Sequence, residues 1–218
     1  MGERLETTFA GLLAQVEGLV QPAAGAPFAL FGHSLGALVA FEVAWRRWLA
    51  GSSAPLVVFA AGTHAPSRRD PERYANLTSD AELRTELERL DGTPASVLAD
   101  EELMALTLPI LRADFQVAAD YDCSSERRIG APLHVFAGSE DATTPETLGA
   151  WRQHTHAAFF LNVLPGGHFF VHQQEAALLA LIEGRLREEL GGAPAQSGDG
   201  PRMSWRQGQT QAARGLGT

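Results

Sequence analysis

The stretch FALFGHSLGALVAFEVAW (28–45) sets one hydroxyl, Ser34, between Gly32 and Gly36 at the seam of two apolar runs. The first run reads as a buried strand and the second as a helix, which is the setting of a nucleophile elbow. On such a turn the serine stands clear of the backbone, and flanking glycines keep a Cβ from colliding with the neighbouring chain. The helix N-terminus then points at the hydroxyl, so the backbone N–H of Leu35 is placed to hold an oxyanion. Spacing alone is weak in a chain with 22 glycines; the strand-to-helix context carries the weight. A phosphate-cradling loop fits less well, because neither GxGxxG nor GK[ST] occurs.

A serine nucleophile needs a base, and the base needs an acid that fixes its tautomer. AGSEDATTP places Asp141 just past the apolar run LHVFAG (133–138), and PGGHFF places His168 in a glycine loop after FFLNVLPG (159–166). Ser34, Asp141 and His168 follow the chain order of α/β hydrolases, at the carboxyl ends of strands where such sites gather. Each has a rival. Glu140 adjoins Asp141, Asp70 follows the second apolar run, and His168 is one of seven histidines. His168 and His172 could share a helix face, but no carboxylate lies between them as in HExxH. No metal and no cofactor is expected.

These residues need a frame. FALFG (28–32), LVVFAAG (56–62), LHVFAG (133–138) and FFLNVLPG (159–166) have strand character, and most are continuous apolar runs of the kind buried on both faces of a parallel sheet. Helical segments alternate with them at 35–49, 146–153 and 172–190, with Gly51 placed to end the first. Leu5, Phe9, Leu12, Val16 and Leu19 recur at helical spacing before the first strand. The fold class is α/β: a mostly parallel sheet with helices on both faces. A long insertion, 66–128, reads as helical. Its SDAE (79–82) is a capping box, and Pro109 is expected to break one helix and start another. Helices inserted over that sheet edge serve as a lid or as a solvated excursion. Leu103, Met104, Leu106 and Phe115 would line an apolar pocket or belong to a core. The domain is expected to span 1–190, and the tail 191–218, rich in Gly, Pro, Gln and Ser, reads as disordered.

Composition narrows the partners. A net charge of −9 argues against nucleic acid and anionic membrane. All 17 basic residues are arginine, and Cys123 stands alone, so no intramolecular disulfide forms. The N-terminus lacks a signal-peptide pattern, and no apolar run reaches the ~20 residues of a bilayer crossing. A soluble, cytoplasmic protein is the expectation.

With FALFGHSLGALVAFEVA, DEELMALTLPILRADF, PLHVFAGSED and LPGGHFFVHQ together, the chain resembles the type II thioesterases that accompany polyketide synthases and nonribosomal peptide synthetases. The LPILRADF segment discriminates most, because generic esterases lack such a lid sequence. The resemblance implies hydrolysis of acyl groups from phosphopantetheine-bearing acyl or peptidyl carrier proteins, an editing role. Ser34 would attack, His168 would move the proton, and Asp141 would orient His168. Arg68-Arg69 and Arg127-Arg128 are candidate docking pairs for an acidic carrier, or simply solvated arginines. Against the family pattern the chain looks N-terminally truncated, lacking early strands and a glycine loop that supplies a second oxyanion N–H. On that expectation the strand 28–32 is left with an unpaired edge. Loss of one oxyanion donor would cost roughly 10²–10³ in turnover. A misassigned start, a natural truncation or a covering second chain would each explain it. A small-ester esterase and an inactive carrier-binding homologue are the alternative functions.

Overall fold

The computed structural model describes residues 5–20, 26–70 and 72–191. Helix α1 (Phe9–Leu19) starts where the Thr8 hydroxyl accepts the Gly11 N–H at 3.1 Å. There follow β1 (Leu30–His33), α2 (Leu35–Leu49), β2 (Val58–Ala61), α3 (Glu72–Ala75), α4 (Asp80–Leu90), α5 (Ala95–Leu98) and α6 (Glu101–Asp120). The chain continues through β3 (Leu133–Gly138), α7 (Pro145–Gly149), β4 (Phe159–Leu164), α8 (Phe170–Gln173) and α9 (Glu175–Glu189). Short 3₁₀ turns cover Pro66–Arg68 and Ala150–His154. Gly51 ends α2 in the left-handed region at φ 61°.

The four strands lie in the order β1-β2-β3-β4, every pair parallel, with Leu30 beside Val58, Val58 beside Leu133 and Leu133 beside Phe159. Parallel register brings all four carboxyl ends to one rim. Side-chain alternation divides the core between two faces. Val58, Ala60, Leu133 and Val135 pack with Phe9, Leu13, Leu38 and Phe41 of α1 and α2. On the other face Val57, Phe59 and Phe136 pack with Phe170 and Leu178 of α8 and α9. Each large apolar side chain buried this way contributes roughly 1.5–3 kcal/mol, so the two helical layers hold the rim rigid. The central strands β2 and β3 are buried throughout, whereas β4 alternates because it lies at an edge. Among the described residues β1 is the other edge strand, with Phe31 46% exposed.

The insertion is helical as expected, but Pro109 does not divide it. α6 runs unbroken from an Asp100 cap through Pro109 to Asp120. One face of this helix buries Met104, Leu108, Ala113 and Val117, and that packing outweighs the single backbone bond proline removes. Ser79 and Glu82 form the capping box of α4. Met104 and Leu108 close a separate small core with Leu83 and Leu87, and Phe115 packs against it. Leu103 and Leu106 are 45% and 72% exposed, so the four proposed lid residues divide between core and surface. The insertion is tied back to α2 by a buried carboxylate. Glu42 accepts the Tyr121 hydroxyl at 2.8 Å and the Arg127 guanidinium at 2.9 Å, while Arg127 also stacks 4.4 Å from the Trp45 ring centre. A charge this deeply buried needs such partners. Among the described residues no helix is long and apolar enough to cross a membrane. Of the tail 191–218 expected to be disordered, 192–218 lies outside the described residues.

Burial also holds the imidazoles of His33, His134 and His154 below their ordinary value of 6.5. The folded chain therefore keeps them neutral where the unfolded chain takes up protons. Their contribution to stability is complete above pH 6.5 and drains away as the pH falls below it. Glu86 and Asp114, raised by burial, act in the opposite sense from ordinary values of 4.5 and 3.8, lower on the scale. Melting temperature is expected to fall between about pH 7 and 5.5, by about 2–4 °C for each kcal/mol lost. A melting temperature that is flat or rises on acidification in thermal scans would contradict this.

Candidate active site

Ser34 sits between the end of β1 and the start of α2 at φ 54°, ψ −119°, a conformation that side-chain-bearing residues rarely adopt. Such backbone costs on the order of 1–3 kcal/mol and persists only where its surroundings enforce it. Here the Ser34 N–H donates to the Ala61 carbonyl at 2.8 Å, continuing the β1–β2 ladder into the turn. The Ser34 hydroxyl makes no capping bond to α2, so it is left for other work. Leu35 is the first residue of α2, one of the leading N–H groups that a helix cannot satisfy internally. The turn is tight enough that a Cβ on Gly32 would lie 2.0 Å from the Gly36 carbonyl oxygen. Gly36 differs from expectation: outside its own helix backbone, a Cβ there would meet nothing within 4 Å. The elbow needs one of its glycines sterically, not both.

Asp141 follows β3 and His168 follows β4, and the two meet. The His168 Nδ1 lies 3.2 Å from Asp141 Oδ2, with the side chains 11% and 5% exposed. Burial works against charge on Asp141, but the hydrogen bond from His168 and the Ala142 N–H at 2.7 Å hold its carboxyl below the usual range. With Nδ1 donating to the carboxylate, Nε2 of His168 is the acceptor tautomer a general base requires. The rivals fall away. Glu140 is exposed, and Asp70 is occupied in accepting the Glu72 N–H at 3.0 Å. His172 stacks on Phe169, with ring centres 6.2 Å apart. Among the described residues no hydrogen bond joins Ser34 Oγ to the His168 ring. Sites of this kind commonly tighten that pairing when substrate binds.

The residue that sequence reasoning passed over is His33, treated as a spacer in the motif. Its Nε2 lies 2.9 Å from the backbone carbonyl of His168, and the two rings are 4.9 Å apart. Strand alternation was the available signal: His33 shares a face with Phe31, and it pairs with Ala61, which belongs to the layer containing Phe170.

The arginine pairs divide. Arg69 donates to the Ala118 carbonyl at 2.9 Å and stacks over Tyr121, and Arg127 is held by Glu42, so neither is a free surface charge. Arg68 and Arg128 are exposed. Arg128 lines a surface depression with Gln153 and His156, and Gln153 hydrogen-bonds to Ser67 beside Arg68.

Comparison with known proteins gives the family of the chain. The thioesterase domain family matches residues 1–186. Linear gramicidin dehydrogenase LgrE of Brevibacillus parabrevis is 38% identical over 85% of this chain and 72% of its own length. The probable cadicidin biosynthesis thioesterase of Streptomyces griseus is 43% identical over 67% of this chain, which spans only 40% of that protein. Among solved structures, the type II thioesterase BorB from the borrelidin biosynthetic cluster superposes with a TM-score of 0.73 at 36% identity, over 84% of this chain and 74% of BorB.

Proposed function

This chain belongs to the thioesterase family, and from that premise we propose that it hydrolyses acyl thioesters carried on the phosphopantetheine arm of acyl or peptidyl carrier proteins. Ser34 Oγ attacks the thioester carbonyl carbon while His168 Nε2 takes the hydroxyl proton, and the Asp141 carboxylate holds the opposite ring nitrogen. The Leu35 N–H faces the developing oxyanion. Collapse of the tetrahedral intermediate breaks the carbon–sulfur bond, and the proton on His168 passes to the departing thiolate. Water, activated by the same imidazole, then releases the acid and restores Ser34. A thiolate is a good leaving group, so a loosely specific site suffices to clear wrongly loaded carriers. The observation that carries the reading is the part-buried 3.2 Å pair of His168 and Asp141 at the rim where the strained Ser34 turn ends β1. Although one relative bears a dehydrogenase name, the turn at 32–36 lacks the dinucleotide fingerprint, and hydride transfer is no part of the proposal.

The insertion 66–128 acts as the lid, and Arg68 and Arg128 are the charges left to meet an acidic carrier. Reversing both to glutamate is expected to slow hydrolysis of a carrier-bound acyl group about tenfold, in line with rim charges that steer association. Hydrolysis of a small soluble thioester with the same acyl chain should stay within about twofold. Equal losses on both substrates would remove the docking role. Faster cleavage of a free oxygen ester than of the carrier-bound thioester would favour a general esterase.

A further inference from the structure

His33 joins the two reacting residues by a route that neither the triad nor the family comparison assigns. It is covalently next to Ser34, and its Nε2 lies 2.9 Å from the carbonyl oxygen of His168. A carbonyl only accepts, so the proton of His33 is on Nε2. The surroundings are shaped around this bond. Gly62, at the end of β2, has φ 66°, and a Cβ there would lie 2.6 Å from His33 Nε2 and 3.6 Å from the His168 carbonyl oxygen. The Gly62 N–H is itself fixed to the Phe136 carbonyl at 2.9 Å. Three strand ends thus converge on one hydrogen bond. The rings of Phe169 and Phe170 close over His33, with centres 5.7 and 6.3 Å from it.

The arrangement answers a mechanical need. His168 hangs from a loop between β4 and α8, and its ring is gripped at Nδ1 by Asp141. That grip sets the direction of the ring but leaves the backbone beneath it to be placed. We propose that His33 is a positioning residue: its Nε2–H···O=C bond to His168 sets the separation between the Ser34 hydroxyl and the His168 imidazole. The inference rests on the proposed roles of Ser34 and His168. Its expected size follows from geometry, since a displacement of about 1 Å between reacting groups costs about 10² in rate. Burial keeps His33 neutral, so it adds no second positive charge beside His168 when that ring takes up the serine proton.

The test uses the full chain and a soluble acyl thioester, following released thiol, with thermal melting measured on each variant. His33→Asn fills much of the ring's space but falls short of the carbonyl, and is expected to lower kcat about 10² with KM within about twofold. His33→Gln, whose amide reaches the position of Nε2, should recover to within about tenfold of the parent. Gly62→Ala drives the His33 ring aside and should lose about as much as His33→Asn. In a His33→Ala background, adding Gly62→Ala should lower kcat little further, because the ring it displaces is gone, while the strain of alanine at φ 66° is read separately as a lower melting temperature. Parent-like kcat in His33→Asn, or His33→Gln no better than His33→Asn at equal melting temperature, overturns the inference while leaving the triad intact. Multiplicative losses in the double variant overturn it as well. Parent-like hydrolysis by Ser34→Ala would instead overturn the triad reading, and this inference with it.

Discussion

Replacing Ser34 with alanine is expected to lower thioester turnover by about 10⁵–10⁶, the scale seen when a triad nucleophile is removed. The same change should abolish covalent labelling by a fluorophosphonate. The fold should hardly notice, because the hydroxyl neither caps α2 nor satisfies a backbone group, and alanine meets the same φ of 54°. Steady-state rates, intact-mass analysis of the labelled protein and a melting curve together check this. Ser67 provides an internal control. Its hydroxyl lies 2.9 Å from His154 Nε2, superficially a second serine–histidine pair, but His154 is fully buried and its Nδ1 contacts the Arg127 backbone carbonyl rather than a carboxylate. If the elbow serine is the nucleophile, the adduct forms on Ser34 and none on Ser67. Thioester cleavage surviving in Ser34→Ala would refute it.

Gly32→Ala is expected to cost at least about 3 kcal/mol, the upper end of what overpacking costs. The added Cβ would sit 2.0 Å from the Gly36 carbonyl oxygen and 2.6 Å from the Ala37 nitrogen, both backbone atoms that no rotamer change can move. The elbow must open, which separates β1 from α2 and dismantles the turn that holds Ser34. The expected result is protein with a melting temperature lowered by at least about 6 °C, or no soluble protein. Gly36→Ala is the matched contrast. With nothing within 4 Å of its Cβ and a helical position inside α2, it should fold at least as well as the parent, gaining up to about 1 kcal/mol of helix propensity. Equal behaviour of the two alanine variants would count against the close approach at residue 32.

Much of this protein is written locally in its chain. Apolar runs end just before Ser34, Asp141 and His168, and such runs become buried parallel strands whose carboxyl ends share a rim, so the residue order alone nominates the three. The α2 helix with its Gly51 stop and the Ser79–Glu82 capping box are equally local, because hydrogen bonds and backbone preferences a few residues apart create them. Other features depend on partners distant in sequence. Pro109 stays inside α6 because Met104 and Leu108 find Leu83 and Leu87 to pack against. Asp141, not Glu140, meets the His168 ring because the backbone path after β3 turns one carboxylate inward and leaves its neighbour exposed. Arg69 and Arg127 lose their surface role to Ala118, Tyr121 and Glu42, contacts that spacing along the chain does not announce.

The chemistry of the site depends on one thing: three strand termini must arrive together and stay put. Residue types and their order along the polymer are enough to nominate a hydroxyl, a ring and a carboxylate, since apolar patterning alone says which segments end where. Packing of helices on both sides of the sheet then chose the partners, down to a bond between two histidines 135 positions apart, because only the closed core brings such remote backbone within reach.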